Sequence, residues 1–519
     1  MFSRFVIQSN ILNRGCSLFL RKSCITSAGF SSHKYSTSIS TDKKSYAKHL
    51  ECMSEQGVKF GQPTHYTHPH LLKRNELVPG ILPNEFANRR RQLMEKIHER
   101  CHSLSQAQRN IAIIPGAVKK YMTGKIPYFF RQDSDFYYLT GCLEPESILV
   151  LWSDNANKMN SILFMRPNDR YGELWDGTRT GVEHSIEFFG VDEAHSINDF
   201  ARICEKLATG QTNNVWYNMQ DEMVTSILNE KFETIQSLNS TQYHSISESL
   251  NEMRVIKSPA EINLMRRTCE IASEAINQTM KDTRPGDSEH HIHARTDFYC
   301  RMRNASFLAY PPVVAAGDNA NTIHYITNTQ IARDNELVLM DAGCEYGGYS
   351  SDITRTWPVN GKLTSAQEIL YDVVYTVQME LLETVANAQD ISLDQLFHVM
   401  CIRLGKYLQE IGVIDKSLSI MDAAKLTMTK FCPHHVSHYL GMDIHDTPLI
   451  SRERQLEAGM VFTIEPGVYI SSRAEDVPVE FRGIGIRIED DVLCTENGIE
   501  NLTEKCVKDK TQLKELILK

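Results

Sequence analysis

The sequence predicts two folded domains of the α/β or α+β class behind an N-terminal leader, and three observations support this prediction. The chain has 519 residues, whereas compact domains usually hold ~100–200. Strand-like and helix-like segments alternate over residues 58–245 and again beyond residue 258. Between them, Ser237 to Asn251 is polar and serine-rich with no clear period. We therefore expect a leader and linker at 1–57, an N-terminal domain at 58–245 and a second domain at 246–519.

Composition and charge exclude several classes of protein. Hydrophobic residues make up 41% of the chain and charged residues 23%, as in ordinary globular proteins, so wholesale disorder is excluded. Apolar runs stay well short of the ~20 residues that cross a bilayer. The net charge of −10 argues against broad electrostatic binding of nucleic acid. The 13 cysteines include no C-x-x-C pair, which predicts free thiols in a reducing compartment.

The N-terminal segment has the composition of a targeting signal. Residues 1–41 contain five basic residues, ten serines and no acidic residue. This composition is typical of a mitochondrial transit peptide, and we expect the protein in the mitochondrion, in the matrix. A secretory signal fits less well, because Arg14 and Arg21–Lys22 bracket an apolar stretch of only a few residues. A disordered basic tail is the alternative.

The N-terminal half is predicted to contain a helix followed by four buried strands. The helix spans Asn84 to Arg100, with Arg89–Arg91 as a solvated face. Its expected buried positions are Phe86, Leu93, Met94 and Ile97. Short apolar runs bounded by turn residues predict the strands Asn110–Ile114, Asp135–Thr140, Ser147–Trp152 and Ser161–Met165.

The second half opens with a strong signal for a helix start. Ser258 can cap the free amides, Pro259 suits the first helical position, and Glu261 completes a capping box. Apolar residues then recur at steps of three and four, which predicts one buried face as far as Pro285–Gly286. Further helices are predicted at Thr364–Gln389 and Leu393–Ile411.

Two aspartates lie at the ends of apolar strands in this half. The run Glu336–Asp341 is almost continuously apolar, and Tyr349–Val359 returns as a second strand that carries Asp352. A hairpin that turns near Gly347 brings the two carboxylates together across the strands. Carboxylates at an apolar strand end are costly unless a cation or hydrogen bonds neutralise them.

Further candidate residues follow at intervals. The segment from His434 to Gly441 contains three histidines, and His445 lies just beyond it. Glu465 closes another apolar run. In the run that Glu489 ends, strand alternation places Arg487 and Glu489 on one face.

Four carboxylates and a histidine can hold two divalent cations, with four negative charges against four positive. Oxygen-rich ligation favours hard ions such as Mn²⁺ over ions that prefer thiolate, and no cysteine belongs to this set. A two-metal site can activate a bridging water and polarise a scissile carbonyl. We therefore expect a site for two divalent cations per chain, with Mn²⁺ as the expected ion.

Several motifs around these residues closely resemble the aminopeptidase P family of dinuclear metallopeptidases. In the second half they are DAGCEY from Asp341, SDITRTWPVNG from Ser351, SHYLGMDIHD from Ser437, TIEPG from Thr463 and GIGIRIEDD from Gly483. In the first half they are RQDSDFYYLTG from Arg131, Glu144–Pro145 and ELWDG from Glu173. The resemblance covers roughly residues 58–510. It implies an α+β protein, in which a smaller α/β N-terminal domain precedes a catalytic domain with the pita-bread fold.

The resemblance also implies a ligand set. Asp341, Asp352, His438, Glu465 and Glu489 match the metal ligands of the family. Asp352 and Glu489 match the bridging carboxylates, and Glu465 is also expected to act as a proton shuttle.

Three further histidines match active-site residues of the family that do not bind metal, namely His324, His434 and His445. Histidine can donate a hydrogen bond to a carbonyl oxygen as charge builds in the transition state. Family members often have glycine directly after the histidine that matches His434, whereas this chain has His435 there. Spacing favours His434 as the histidine that faces the cleft.

The activity implied by the resemblance is that of an Xaa-Pro aminopeptidase, which hydrolyses the tertiary amide before a proline in the second position with a metal-activated bridging water. Tyr469 and Arg487 match residues near the proline pocket, and His324 and His445 are expected to contact substrate. Two related alternatives are trimming of one residue from imported mitochondrial precursors and a prolidase restricted to dipeptides. A non-enzymatic binding module is the alternative from another class. Peptides are the expected partners, with no nucleic acid or membrane, and relatives suggest a homodimer.

Overall fold

We describe the protein from a computed structural model, which covers residues 43–55, 57–101, 109–154, 158–209, 212–218, 241–388 and 390–518. These residues belong to one compact unit. The expected transit peptide lies outside the described residues. Within the expected linker, a helix α1 (Lys43–Glu55) packs its Leu50 and Met53 into the protein, with 2% and 8% of their surface exposed.

The first half is built on a six-stranded mixed sheet in the order β6-β5-β4-β1-β7-β8. Its strands are β1 (Arg109–Pro115), β4 (Ile148–Ser153), β5 (Met159–Met165), β6 (Glu193–Ser196), β7 (Asn213–Tyr217) and β8 (Thr241–Ser245). A small separate hairpin consists of β2 (Tyr121–Thr123) and β3 (Ile126–Pro127). The helices are α2 (Pro83–Cys101), α3 (Ser134–Thr140), α4 (Arg170–Asp176), α5 (Gly181–Phe189) and α6 (Phe200–Ala208).

Most of the elements predicted in this half are confirmed. Helix α2 matches the predicted helix, and all four expected core positions are buried. Strands β1, β4 and β5 match three of the predicted strands. The strand expected at Asp135–Thr140 is wrong, because this segment is helix α3. The Asp133 side chain accepts the amide of Phe136 at 2.8 Å, and Gly141 ends the helix in the left-handed conformation, so strong caps outweigh the apolar run.

The solvated face expected at Arg89–Arg91 is also wrong for two of its three residues. Arg89 is 3% exposed and donates to the carbonyl of Tyr138 at 3.0 Å. Arg90 is 1% exposed and donates to the carbonyls of Leu139, Phe189 and Gly190. Both guanidinium groups bind carbonyls at the C-terminal ends of helices α3 and α5, which allows them to be buried.

The second half packs helices around four small antiparallel sheets. The helices are α7 (Ser247–Arg254), α8 (Pro259–Asp282), α9 (Glu289–Arg301), α10 (Ser365–Asn387), α11 (Leu393–Glu410), α12 (Ile420–Leu426) and α13 (Lys510–Leu518). The strands are β9 (Phe307–Leu308), β10 (Val313–Ala316), β11 (Leu337–Ala342), β12 (Cys344–Tyr346), β13 (Tyr349–Ser350), β14 (Ile353–Pro358), β15 (Val461–Ile464), β16 (Gly467–Ile470), β17 (Ile484–Arg487), β18 (Asp490–Thr495) and β19 (Gly498–Asn501). The sheets are β10-β11-β14, β13-β12-β9, β15-β18-β19 and β16-β17.

The three helices predicted in this half are confirmed. Helix α8 starts with the predicted capping box, in which the Ser258 hydroxyl accepts the amide of Glu261 and the Glu261 carboxylate accepts the amide of Ser258. Helices α10 and α11 lie at the predicted positions. Among the described residues, no helix combines the length and apolar character needed to span a membrane.

The predicted pairing of the two aspartate strands is also confirmed. Strands β11 and β14 are antiparallel neighbours, with Asp341 opposite Thr354. The turn between them uses Gly347 and Gly348, both with positive φ. At Gly343 a Cβ atom would lie 1.7 Å from the carbonyl oxygen of Ser351, so only glycine allows the two backbones to approach this closely.

Candidate metal centre

The structure brings the five expected ligand side chains together at the ends of neighbouring strands. Asp341 lies near the end of β11, Asp352 just before β14, Glu465 directly after β15 and Glu489 between β17 and β18. His438 lies on the loop before β15, where its carbonyl accepts the amide of Thr463 at 3.0 Å. These residues are separated by up to 148 positions in the sequence, and only strand pairing places them in one pocket.

Three of the ligand candidates form a close cluster. One ligand atom from each of Asp352, His438 and Glu489 lies within 4.8 Å of the others, and all three residues are buried. Nε2 of His438 is 3.3 Å from Asp352 Oδ2 and 3.7 Å from Glu465 Oε1. Nδ1 of His438 lies 3.1 Å from the carbonyl oxygen of Tyr439, so we assign the proton to Nδ1. Nε2 faces the carboxylates, where it donates to Asp352 when the ring is protonated and would present its lone pair to a bound cation.

Tyr310 is a site residue that sequence reasoning missed. Its hydroxyl lies 2.5 Å from Asp341 Oδ1 and 2.6 Å from Asp352 Oδ1, so it joins the two carboxylates. Tyr310 lies in the loop between β9 and β10, outside the motifs around the ligands. A tyrosine beside Pro311 carries no local signal of this role, because the role depends on a contact 31 and 42 positions away.

Arg487 and Thr354 connect the outer ligands. The Thr354 hydroxyl donates to Glu489 Oε2 at 2.6 Å and accepts from Arg487 Nε at 3.0 Å. The other arms of the Arg487 guanidinium donate to Asp341 Oδ2 at 2.6 Å and to the Tyr469 hydroxyl at 2.8 Å. Each nitrogen of the planar guanidinium therefore has its own acceptor. As alternation predicted, Arg487 and Glu489 lie on the same side, where both reach Thr354.

His434 lies beside this network and uses both of its ring nitrogens. Nδ1 is 2.9 Å from the His435 carbonyl oxygen, and Nε2 is 2.9 Å from the Tyr469 hydroxyl. A carbonyl can only accept, so we assign the proton to Nδ1, and Nε2 then accepts from Tyr469. Nδ1 also lies 3.6 Å from Glu465 Oε2.

His435, the neighbour of His434, points away from the pocket. Its ring stacks on Phe397 with centroids 4.8 Å apart, and Nε2 lies 3.1 Å from Asp394 Oδ1. Both partners belong to α11, so the larger side chain is accommodated by the helix. The geometry agrees with the spacing argument that selected His434 for the cleft.

His445 and His324 lie at the exposed edge of the site. The ring of His445 meets the ring of His438 edge-on, with centroids 4.4 Å apart and an interplanar angle of 71°. Both His324 and His445 are exposed to solvent. They are therefore the two candidate histidines that a molecule entering from solvent would meet first.

The electrostatics of the pocket show an excess of negative charge. Burial and the neighbouring charge of Asp352 raise the pKa of Asp341 to about 6. Burial raises the pKa of Glu465 to about 7 and that of Glu489 well above its ordinary value. Burial alone would lower the pKa of His438, but the bond to Asp352 and the charge of Glu465 raise it to about 9.

The donor set fits divalent cations. Four carboxylates share the pocket with one directly bonded guanidinium, and the raised carboxyl pKa values mean that their full ionisation needs further positive charge. Oxygen donors and one imidazole suit hard or borderline ions. Asp352, His438 and Glu489 would hold one ion, with Asp341 and Glu465 completing the site.

The position of Asp352 is fixed from outside the pocket. Its backbone amide donates to Asp491 Oδ2 at 3.0 Å, and Asp491 also accepts from the Cys269 thiol at 3.2 Å. Strand pairing is interrupted at Ser351 and Asp352, between β13 and β14, which frees this amide. The buried carboxylate of Asp491 thus replaces a strand partner and aims Asp352 into the cluster.

Comparisons with known proteins agree with this geometry. Metallopeptidase family M24 matches residues 263–496, the range that contains all five ligand candidates, and the aminopeptidase P N-terminal domain matches residues 86–216. Xaa-Pro aminopeptidase 3 of Rattus norvegicus is 39% identical over 463 residues, which are 88% of this chain and 90% of that protein. The mitochondrial intermediate cleaving peptidase 55 of Arabidopsis thaliana is 37% identical over 465 residues, 89% of each protein.

Among solved structures, zinc-substituted aminopeptidase P of Escherichia coli in complex with product has a TM-score of 0.77 and 35% identity. The match covers 84% of this chain and 98% of that chain. The expectation of a pita-bread fold behind an α/β domain is thereby confirmed.

We expect Asp352→Asn to bind fewer than two Mn²⁺ ions per chain. The amide keeps the shape of the side chain but removes a charge from the centre of the cluster, where the carboxylate contacts His438 and the Tyr310 hydroxyl. Elemental analysis of the dialysed protein gives the stoichiometry. Asp394→Asn is the matched control, because the Asp394 carboxylate bonds the outward-facing His435 and the change should leave the metal content unchanged. Two ions per chain in Asp352→Asn would contradict the assignment.

Proposed function

This chain belongs to the aminopeptidase P family of M24 metallopeptidases and is a metallo-aminopeptidase; from this premise we infer that it hydrolyses the bond between an N-terminal residue and a following proline. One observation carries the proposal. Asp352, His438 and Glu489 form one cluster, Asp341 and Glu465 lie in contact with its surroundings beside the pair Arg487–Tyr469, and all five lie within the range that matches the family.

The residues of this chain can divide the work of hydrolysis. When bound, two divalent cations supply Lewis acidity and lower the pKa of a water molecule. We assign Glu465 to accept the proton that the attacking water loses and to deliver it to the leaving nitrogen, since its carboxylate lies between His434 and His438. His324 and His445 are assigned to donate to the carbonyl oxygen, because both are exposed at the edge of the site.

The remaining residues are assigned to positioning and to the proline pocket. Both ring nitrogens of His434 have protein partners, so we assign it to hold Tyr469 in place. Tyr469 is in turn bonded to Arg487, and together they form one wall for the pyrrolidine ring. A pocket for this ring favours the tertiary amide before proline, which has no N–H to donate.

A peptide-library digest with the Mn²⁺-loaded full chain tests the activity. We expect release of the first residue from Xaa-Pro-Xaa peptides at least about 10-fold faster than from matched Xaa-Ala-Xaa peptides, as pocket fit commonly gives. Glu465→Gln is the matched control for a contaminating peptidase and should be inactive. Cleavage of dipeptides alone would indicate a prolidase, and no cleavage of any peptide would contradict the proposal.

A second candidate function is removal of one residue from imported mitochondrial precursors without a requirement for proline. The similarity to an intermediate cleaving peptidase favours it specifically. Equal rates on the proline and alanine peptides of the library would support this activity in place of the first.

We expect Arg487→Lys to lower the turnover of Xaa-Pro-Xaa peptides by about 10-fold or more, as loss of a partner behind a metal ligand commonly does. A lysine ammonium cannot bond Asp341, Tyr469 and Thr354 from one plane, as the guanidinium does. The measurement is kcat at matched metal content, with Arg303→Lys as a control, since Arg303 pairs with Glu274 at the surface. Wild-type turnover with lysine would mean that charge alone matters.

Mn²⁺ and a mitochondrial location are further proposals. Carboxylate-rich ligation supports Mn²⁺, and the acid-free, serine-rich composition of residues 1–41 supports import.

A chain without residues 1–41 should remain outside mitochondria while keeping its peptidase activity. Fractionation of cells that express the tagged chain measures this, and mitochondrial recovery of the truncated chain would contradict it.

We also propose a homodimer, formed through the N-terminal half. The β2–β3 hairpin, the segment directly after it and α4 expose large apolar side chains, including Phe129 at 83%, Leu174 at 79% and Trp175 at 66%. Lys125 lies over the Trp175 ring, so these elements form one surface. Exposed apolar surfaces of this kind mark protein interfaces. Sedimentation of the full chain distinguishes a dimer from a single chain.

A further inference from the structure

Arg254 lies outside the metal centre, and we infer that it positions His445 for the reaction by holding the loop 441–450. This inference rests on the proposed function, which gives His445 its task. Within the described part of the chain, the His445 ring makes no hydrogen bond, and it meets the ring of His438 edge-on. The loop backbone must therefore set its position.

The Arg254 guanidinium binds this loop on both sides of His445. One arm donates to Asp443 Oδ2 at 2.7 Å and to Asp446 Oδ1 at 2.5 Å. The other arm donates to Asp135 Oδ1 at 2.6 Å, at the start of α3. The Arg254 side chain is only 6% exposed and the Asp446 side chain 1%, so this ion pair is shielded from water, while the Asp443 carboxylate stays 38% exposed. The Arg254 side chain thus binds Asp443, two residues before His445, and Asp446, one residue after it.

The N-terminal half supplies a second set of ties to the same loop. The Ser134 hydroxyl donates to Asp443 Oδ1 at 2.6 Å. Arg131 donates to Asp443 Oδ1 at 3.1 Å and to the Met442 carbonyl at 2.8 Å. The loop next to the metal centre is therefore held from both halves of the protein, and Arg254 lies where the two sets of contacts meet.

Further contacts hold the far end of the loop. Lys257, with 1% of its side chain exposed, donates to Asp446 Oδ2 at 3.2 Å. Asn251, which lies on α7 with Arg254, accepts the amide of Leu449 at 3.1 Å. Helix α7 and the start of the next segment thus form a rigid base under the loop.

The loop is held against a local preference of its backbone. Thr447 has φ of 46°, a left-handed conformation that a β-branched residue rarely adopts. Its hydroxyl is buried and has no partner among the described residues. Such conformations persist only when the surroundings over-determine them. The ion network of Arg254 is positioned to provide this constraint, two residues from His445.

The first test compares turnover in Arg254→Met and Arg254→Lys. We expect kcat on an Xaa-Pro-Xaa peptide to fall at least about 10-fold in both variants, since a displacement of 1 Å in a catalytic group costs up to ~10²-fold. KM and bound Mn²⁺ should stay near wild type, because Arg254 contacts no ligand candidate. Lysine should not rescue, since the donors of its single nitrogen cannot reach acceptors that Arg254 contacts from two separate nitrogens of a planar guanidinium. Wild-type kcat in Arg254→Met would overturn the inference.

A double-mutant cycle separates positioning of His445 from a general structural role. If Arg254 acts through His445, Arg254→Met should lower kcat less than twofold in a His445→Ala background. The same fold loss in both backgrounds would overturn the inference. Should Arg254→Met fail to fold, Asp443→Asn takes its place in the cycle, because it weakens the same contact at a half-buried position.

Hydrogen exchange of the full chain tests the hold on the loop without using activity. Amides of residues 441–450 should exchange faster in Arg254→Met. Arg90→Met is the matched control, because Arg90 is equally buried and bonded but contacts only carbonyls of the N-terminal half. It should destabilise the protein while leaving loop exchange and kcat unchanged. Unchanged exchange in Arg254→Met would overturn the inference. An inactive wild-type chain would instead overturn the proposed function, whatever the exchange result.

Discussion

The second half of this protein is organised around one electrostatic constraint, the placement of four carboxylates in a single, largely buried pocket. Ionised carboxylates repel one another and lose hydration there, which raises the pKa of Asp341, Glu465 and Glu489. Every neighbouring polar group reduces this cost. The Tyr310 hydroxyl lies within hydrogen-bond distance of Asp341 and Asp352, and Arg487 donates to Asp341. The Thr354 hydroxyl donates to Glu489, and the remaining negative charge is available to bind cations.

The same constraint explains irregular features of the backbone. Strand pairing is interrupted at Ser351 and Asp352, which lie between β13 and β14 in the chain. The freed amide of Asp352 binds the buried carboxylate of Asp491. Gly343 lets the opposing strand pass at a distance that any side chain would prevent. The strands therefore end where the ligand candidates begin, and the side chains are presented by rigid elements, as a precise metal site requires.

A second charged network, centred on Arg254, links the two halves of the chain. Its guanidinium joins Asp135 of the first half to Asp443 and Asp446 of the loop that carries His445. Breaking one partner of such a buried network leaves uncompensated charge, so the halves are expected to be strongly coupled. The N-terminal half then serves the chemistry indirectly, through the position of one loop.

The sequence by itself determined the regular elements and the identity of the ligand candidates. Apolar residues at helical spacing located α2, short apolar runs located β1 and β4, and a capping box located α8. The motifs that resemble the aminopeptidase P family supplied the five ligand candidates. The tertiary structure decided what depends on distant partners: the burial of Arg89 and Arg90, the helix at 134–140 where an apolar run suggested a strand, the outward turn of His435, and the roles of Tyr310 and Arg254. The physical reason is that periodicity and caps act within a few residues, whereas a buried hydroxyl or guanidinium is specified by acceptors that lie tens to hundreds of positions away and meet it only in the folded chain.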